Sequence, residues 1–108
     1  MASNFIARET RVAIYNRDGF SCVYCGTIGS EGGKGATGTI LSLDHITPRT
    51  LGGALADPTN LVTACCLCNS TRGRMTLPRF QAYLSQKKGI ETVKNLSAKV
   101  RRQAKKPL

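Results

Sequence analysis

Cys22-Val23-Tyr24-Cys25 and Cys65-Cys66-Leu67-Cys68 are the stretches that decide the fold, two Cys-x-x-Cys knuckles thirty-nine residues apart in a chain of 108. Two residues between ligands let one tight turn present both sulfurs to a single ion. Four thiolates on two such turns meet the tetrahedral demand of a structural zinc. Gly26, directly after the first knuckle, relieves the backbone crowding that such turns produce. A fifth cysteine is left over. Pairing Cys66 with Cys68 is formally open, but only Cys65 with Cys68 repeats the first spacing, which makes Cys66 a packed or exposed thiol. Disulfides or a redox pair are the rival readings of the set, and the expected compartment weighs against them. No run reaches the roughly 18 apolar residues of a membrane span, and Met1 to Arg8 lacks the apolar stretch of a secretory signal. A cytoplasmic location is expected, where thiols stay reduced, and no membrane partner.

Working outward, the composition explains why a staple is needed. The chain has no Trp and six other aromatic residues, so its core is modest, and one domain is all that its length allows. Zinc binding in such a site is folding free energy, on the order of 10 kcal/mol for zinc-finger peptides. A hydrophobic share of 41% excludes a wholly disordered tail protein. The net charge of +10 points to a polyanion as partner, with nucleic acid first.

Residues 8–18 read as a short helix that stops at Asp18-Gly19. From Gly26 to Gly38 six of thirteen residues are glycine, the composition of a flexible surface insertion. Gly29-Ser30-Glu31-Gly32-Gly33-Lys34 is no phosphate loop: it is one residue short before Gly-Lys, and Gly35 stands where a Ser or Thr should hold magnesium. Thr39 to Thr47 is β-branched and partly alternating, a strand bounded by Gly38 and Pro48. Residues 49–59 form a loop, and Leu61 to Ala64 resumes strand character, so the two strands pair as a long-looped hairpin. A short helix is expected from near Cys66–Asn69 toward Gly73. Another opens at Thr76-Leu77-Pro78 with Phe80, Tyr83 and Leu84 on one stripe. Beyond Gly89, residues Ile90, Val93, Leu96 and Val100 recur at near-helical spacing. Residues 81–108 carry eight of the sixteen basic residues and one acid. We expect a domain over 1–88 and a basic C-terminal helix or tail over 89–108, which taken alone could equally be a solvated face that keeps the protein soluble.

Between the knuckles, Asp44 stands beside His45, the only histidine of the chain. A lone histidine is more often structural than catalytic, but its surroundings carry a pattern. Cys22-x-x-Cys25, Leu43-Asp44-His45-Ile46-x-Pro48, Gly52-Gly53, Asn60-Leu61 and Cys65-x-x-Cys68-Asn69, in this order, resemble an HNH endonuclease, from about Arg11 to Gly73. The resemblance implies a small α+β fold with a ββα-metal core, flanking helices and a zinc bound by Cys22, Cys25, Cys65 and Cys68. It implies that His45 is the general base, a role that suits an imidazole because it titrates near neutral pH. It implies that Asp44 binds a catalytic divalent metal, Mg²⁺ or Mn²⁺, with Asn69 completing the site from the helix, and that Asn60 orients the histidine ring or braces the loop. Asn69 replaces the last histidine of the pattern and is a weaker ligand. Adjacent strand residues point to opposite faces, so a twist or bulge should be needed to bring Asp44 and His45 together.

The expected activity is metal-dependent hydrolysis of DNA phosphodiesters, as a nick or a double-strand cut. Arg72, Arg74, Lys94, Lys99, Arg101, Arg102, Lys105 and Lys106 are the candidates to grip phosphates. A zinc-stabilised nucleic-acid-binding module without catalysis is the alternative; it accounts for the charge and cysteines but not for Asp44, His45, Asn60 and Asn69 together. One site makes one nick, so a homodimer or a phage or host protein partner stays open, as does an origin in a phage or mobile element.

Overall fold

A computed structural model describes residues 6–32, 38–88 and 95–108. At its centre, strand β1 (Leu41–His45) pairs antiparallel with β2 (Leu61–Cys65), in continuous register from Leu41 opposite Cys65 to His45 opposite Leu61. Every residue of β2 is buried, which suits its apolar and β-branched composition. Helix α2 (Cys66–Arg72) follows without a linker, and the Cys65 sulfur caps it by accepting the Cys68 N–H. It packs on β1, where Asn69 Nδ2 donates to Ser42 Oγ at 2.9 Å and to the Leu43 carbonyl at 3.1 Å. Strand, strand and helix thus form one ββα unit, the small α+β architecture expected.

The 46–60 connection holds one-turn helices at Arg49–Leu51 and Pro58–Asn60. Asn60 closes it: its Oδ1 accepts the Thr47 N–H, and its Nδ2 donates to the carbonyls of Thr47 and Ala54. Gly53 makes that closure sterically feasible, since a Cβ there would lie 1.8 Å from the Thr47 oxygen.

Among the described residues three further helices pack around this unit, α1 (Arg8–Arg17), α3 (Leu77–Lys88) and α4 (Leu96–Ala104). Phe80 and Leu84 of the expected stripe are buried and Tyr83 is half-buried. Residues 96–104 are not a loose tail. Leu96, Val100 and Ala104 are almost fully buried and join Tyr15, Leu41, Val62, Leu77 and Phe80 in one core. Ile90 and Val93 lie outside the described residues.

The glycine-rich stretch also departs from expectation. Gly29 donates to the Phe20 carbonyl, Ser30 to that of Thr39, and Leu41 to that of Ser30. A Cβ on Gly29 would come within 2.6 Å of the Thr39 oxygen, so glycine here serves close approach and not looseness. Residues 33–37 of that stretch, including Lys34, lie outside the described residues. Among the described residues no helix is long and apolar enough to cross a membrane.

Candidate active site

The two knuckles meet. The sulfurs of Cys22, Cys25, Cys65 and Cys68 all lie within 4.8 Å of one another, a cluster that could hold a metal ion. Each knuckle folds an N–H onto its own first sulfur, Cys25 onto Cys22 at 3.5 Å and Cys68 onto Cys65 at 3.3 Å. Cys66 stands outside the cluster, exposed at the first turn of α2. The pairing of Cys65 with Cys68, preferred on spacing, is the one this geometry contains.

About 240 Å³ of cleft opens beside the end of β1, lined by Asp44, His45, Pro48, Arg49, Asn69, Gly73 and Arg74, among others. Asp44, His45 and Asn69 therefore line one cleft, although the strand register runs through Asp44 and His45 with no bulge. His45 Nε2 lies 2.9 Å from the Leu55 carbonyl oxygen. A carbonyl can only accept, so Nε2 carries the proton and Nδ1 is the basic nitrogen. Asn60 makes no hydrogen bond to the ring; its hydrogen bonds to Thr47 and Ala54 brace the loop that supplies Leu55.

Asp44 is buried, and its Oδ2 accepts from the Tyr24 hydroxyl and from Arg72 Nη1, the latter at 2.7 Å. Its Oδ1 has no hydrogen-bond partner among the described residues, and Asp44 is one of the residues that line the cleft. Asn69 commits its amide nitrogen to β1, which leaves its Oδ1 as the atom a cation could take. Burial, and next the Asp44 charge, push the Tyr24 phenol above its ordinary range, so it keeps its proton and donates.

Arg72 requires a correction. Sequence reasoning makes it a phosphate grip, but its side chain is 1% exposed and it points inward. Beyond Asp44 it donates to the Tyr24 hydroxyl and to the carbonyls of His45, Ile46 and Met75. A guanidinium has five N–H groups in a rigid fork, enough to tie α2 to the end of β1, and none is turned to solvent. Arg74 is exposed and lines the cleft, as does Arg49, which sequence reasoning missed although it directly follows Pro48 of the motif. Lys99, Arg101, Arg102, Lys105 and Lys106 are exposed on α4 and the residues after it. Lys94 lies outside the described residues. Tyr24 was also missed, because an aromatic residue between two knuckle cysteines reads as packing.

Against known families, the model described as HNH endonuclease matches residues 22–85, more than half of the chain. Neither the curated proteins nor the solved structures give a match.

Proposed function

The chain belongs to the HNH endonuclease family, and from that premise we propose that it hydrolyses DNA phosphodiester bonds with His45 as general base and one divalent metal. The observation that carries this reading is the convergence of His45, Asp44 and Asn69 on one cleft flanked by two arginines. Asp44 Oδ1 and Asn69 Oδ1 are hard oxygen donors, a set that fits Mg²⁺ or Mn²⁺ and not a soft-ligand metal. When bound there, the ion would supply charge neutralisation at a phosphoryl oxygen and at the leaving 3′ oxygen.

The remaining work falls to the protein. Nδ1 of His45 takes the proton of the attacking water, and the Leu55 carbonyl keeps the ring in the tautomer that leaves Nδ1 free. Asn60 keeps Leu55 in place through its bonds to Thr47 and Ala54. Arg49 and Arg74 draw the scissile phosphate into the cleft. The exposed cations of α4 and the C-terminus, Lys99, Arg101, Arg102, Lys105 and Lys106, extend the grip along the DNA backbone without reading sequence. The four cysteines hold zinc, which staples the knuckles on both sides of the hairpin.

The test is cleavage of supercoiled plasmid by wild type and by His45→Ala, in Mg²⁺, in Mn²⁺ and in EDTA. Metal-dependent nicking that disappears in folded His45→Ala is the expected result. A zinc-loaded wild type that shifts DNA in a gel without cutting it in either metal would support the non-catalytic binding module instead.

A further inference from the structure

Two buried side chains meet Asp44, and each hangs from one of the knuckles. Tyr24 sits between Cys22 and Cys25, its ring edge-on to Phe80 at 5.0 Å. Arg72 lies one helical turn beyond Cys68, on the helix that Cys65 caps. Both reach the same carboxylate oxygen, Oδ2, and neither touches Oδ1. Arg72 Nη1 is also 3.1 Å from the Tyr24 hydroxyl, so the two donors brace each other. The same guanidinium holds the carbonyls of His45 and Ile46, at 2.9 and 2.7 Å, which fixes the backbone that carries the base.

We propose that Tyr24 and Arg72 are positioning residues that pin Asp44 by Oδ2 so that Oδ1 is presented to the divalent ion, and that the four-cysteine site sets both of them. The proposal rests on the nuclease reading of the cleft. A carboxylate held at one oxygen by two crossed donors cannot turn about its last bond, so its free oxygen is aimed before any cation arrives. Partners of this kind around a metal ligand change metal affinity or activity by about 10- to 100-fold when removed. Through them the knuckles would govern the cleft without lining it. Any event that loosens the cysteine cluster is then transmitted to Asp44 as a loss of aim.

The experiment is a Mn²⁺ titration of the DNA-free protein, followed by the paramagnetic resonance of free Mn²⁺, for wild type, Tyr24→Phe, Arg72→Lys and Asp44→Asn. Zinc content and thermal midpoint are read on the same samples. Tyr24→Phe keeps the ring packing and is expected to bind Mn²⁺ about tenfold more weakly with zinc retained, and its nicking rate should recover at high Mn²⁺. Arg72→Lys keeps the charge without the fork and should weaken binding further; should it fail to fold, Tyr24→Phe decides alone. Wild-type Mn²⁺ affinity in folded Tyr24→Phe, with Asp44→Asn having lost binding, overturns the positioning role and leaves the nuclease reading standing. Unchanged Mn²⁺ binding in Asp44→Asn overturns both.

Discussion

Among the described residues lie two buried arginine–carboxylate pairs, and they are built differently. Arg17 and Asp18, at the end of α1, are 1% and 2% exposed, and Arg72 and Asp44 are 1% and 7% exposed, with the closest approach 2.7 Å in both. Asp18 uses both oxygens: Oδ1 accepts from Arg17 and Gln103, and Oδ2 from Arg17 and the Thr63 amide. Asp44 uses one oxygen, leaves the other without a hydrogen-bond partner among the described residues, and lines a cleft. Burying a charge is tolerated only when its lone pairs find partners. A saturated carboxylate is therefore a staple, here joining α1, β2 and α4, and the half-saturated one is, under the proposed function, a ligand kept ready.

The largest expected effect is the loss of any ion that the four cysteines bind. Chelation, or Cys65→Ser, should abolish cooperative unfolding seen by circular dichroism, because a site of this class contributes on the order of 10 kcal/mol. The Asp44 side should fail first, since Tyr24 and Arg72 are anchored in the knuckles whereas Arg17 and Gln103 are not.

Asp18→Asn comes next. Four donors converge on two oxygens there, and asparagine brings one acceptor and an unwanted donor, so denaturant unfolding should show a loss of about 3–5 kcal/mol. Cleavage per folded molecule should stay unchanged. The acid limb sharpens the same point. Burial alone would raise the Asp18 carboxyl, but hydrogen bonds from Arg17, Gln103 and Thr63 overcome it and hold the group below its ordinary range. A depressed carboxyl stabilises the fold above the ordinary range, about pH 4, and that contribution disappears as the pH falls toward the depressed value. Wild type should accordingly lose stability below about pH 4 more steeply than Asp18→Asn in pH-resolved unfolding.

The smallest effect concerns the α4 cations. Ending the chain near Lys88 would remove Leu96, Val100 and Ala104 from the core and test folding, so substitution is required. Replacing Lys99, Arg102 and Lys106 with glutamine should flatten the dependence of DNA affinity on salt by about 0.9 for each phosphate that is no longer neutralised, with the thermal midpoint unchanged. An unaltered slope would remove these residues from the DNA interface.

Much of this architecture was legible in the residues. The cysteine spacing, the strand around Asp44-His45, though shorter at both ends than the expected 39–47, the stop at Gly73 and the stripe of Phe80, Tyr83 and Leu84 are local signals, and local signals survive folding. What escaped was long-range. Arg17 and Arg72 look like ordinary surface cations, because arginine is seldom fully buried without a partner that sequence does not display. The spacing of Leu96 and Val100 already marked a helix face, but Ala104 and the packing of that face into the core were masked by the charges around them. Gly29 reads as looseness in the sequence because close approach to Thr39 exists only once the chain has folded back. In the site, His45 and Asp44 stood out as a pair, whereas the hydrogen bonds that decide which His45 nitrogen is basic and which Asp44 oxygen is free belong to Leu55, Tyr24 and Arg72.

The most direct test is to measure metal-dependent plasmid nicking and the unfolding midpoint together on Asp44→Asn and Asp18→Asn. Both variants take the charge from a buried arginine pair and should lower the midpoint, but Asp44→Asn should lose nicking in its folded fraction while Asp18→Asn should keep it. Nicking retained by Asp44→Asn, or lost by folded Asp18→Asn, would contradict the division between ligand and staple.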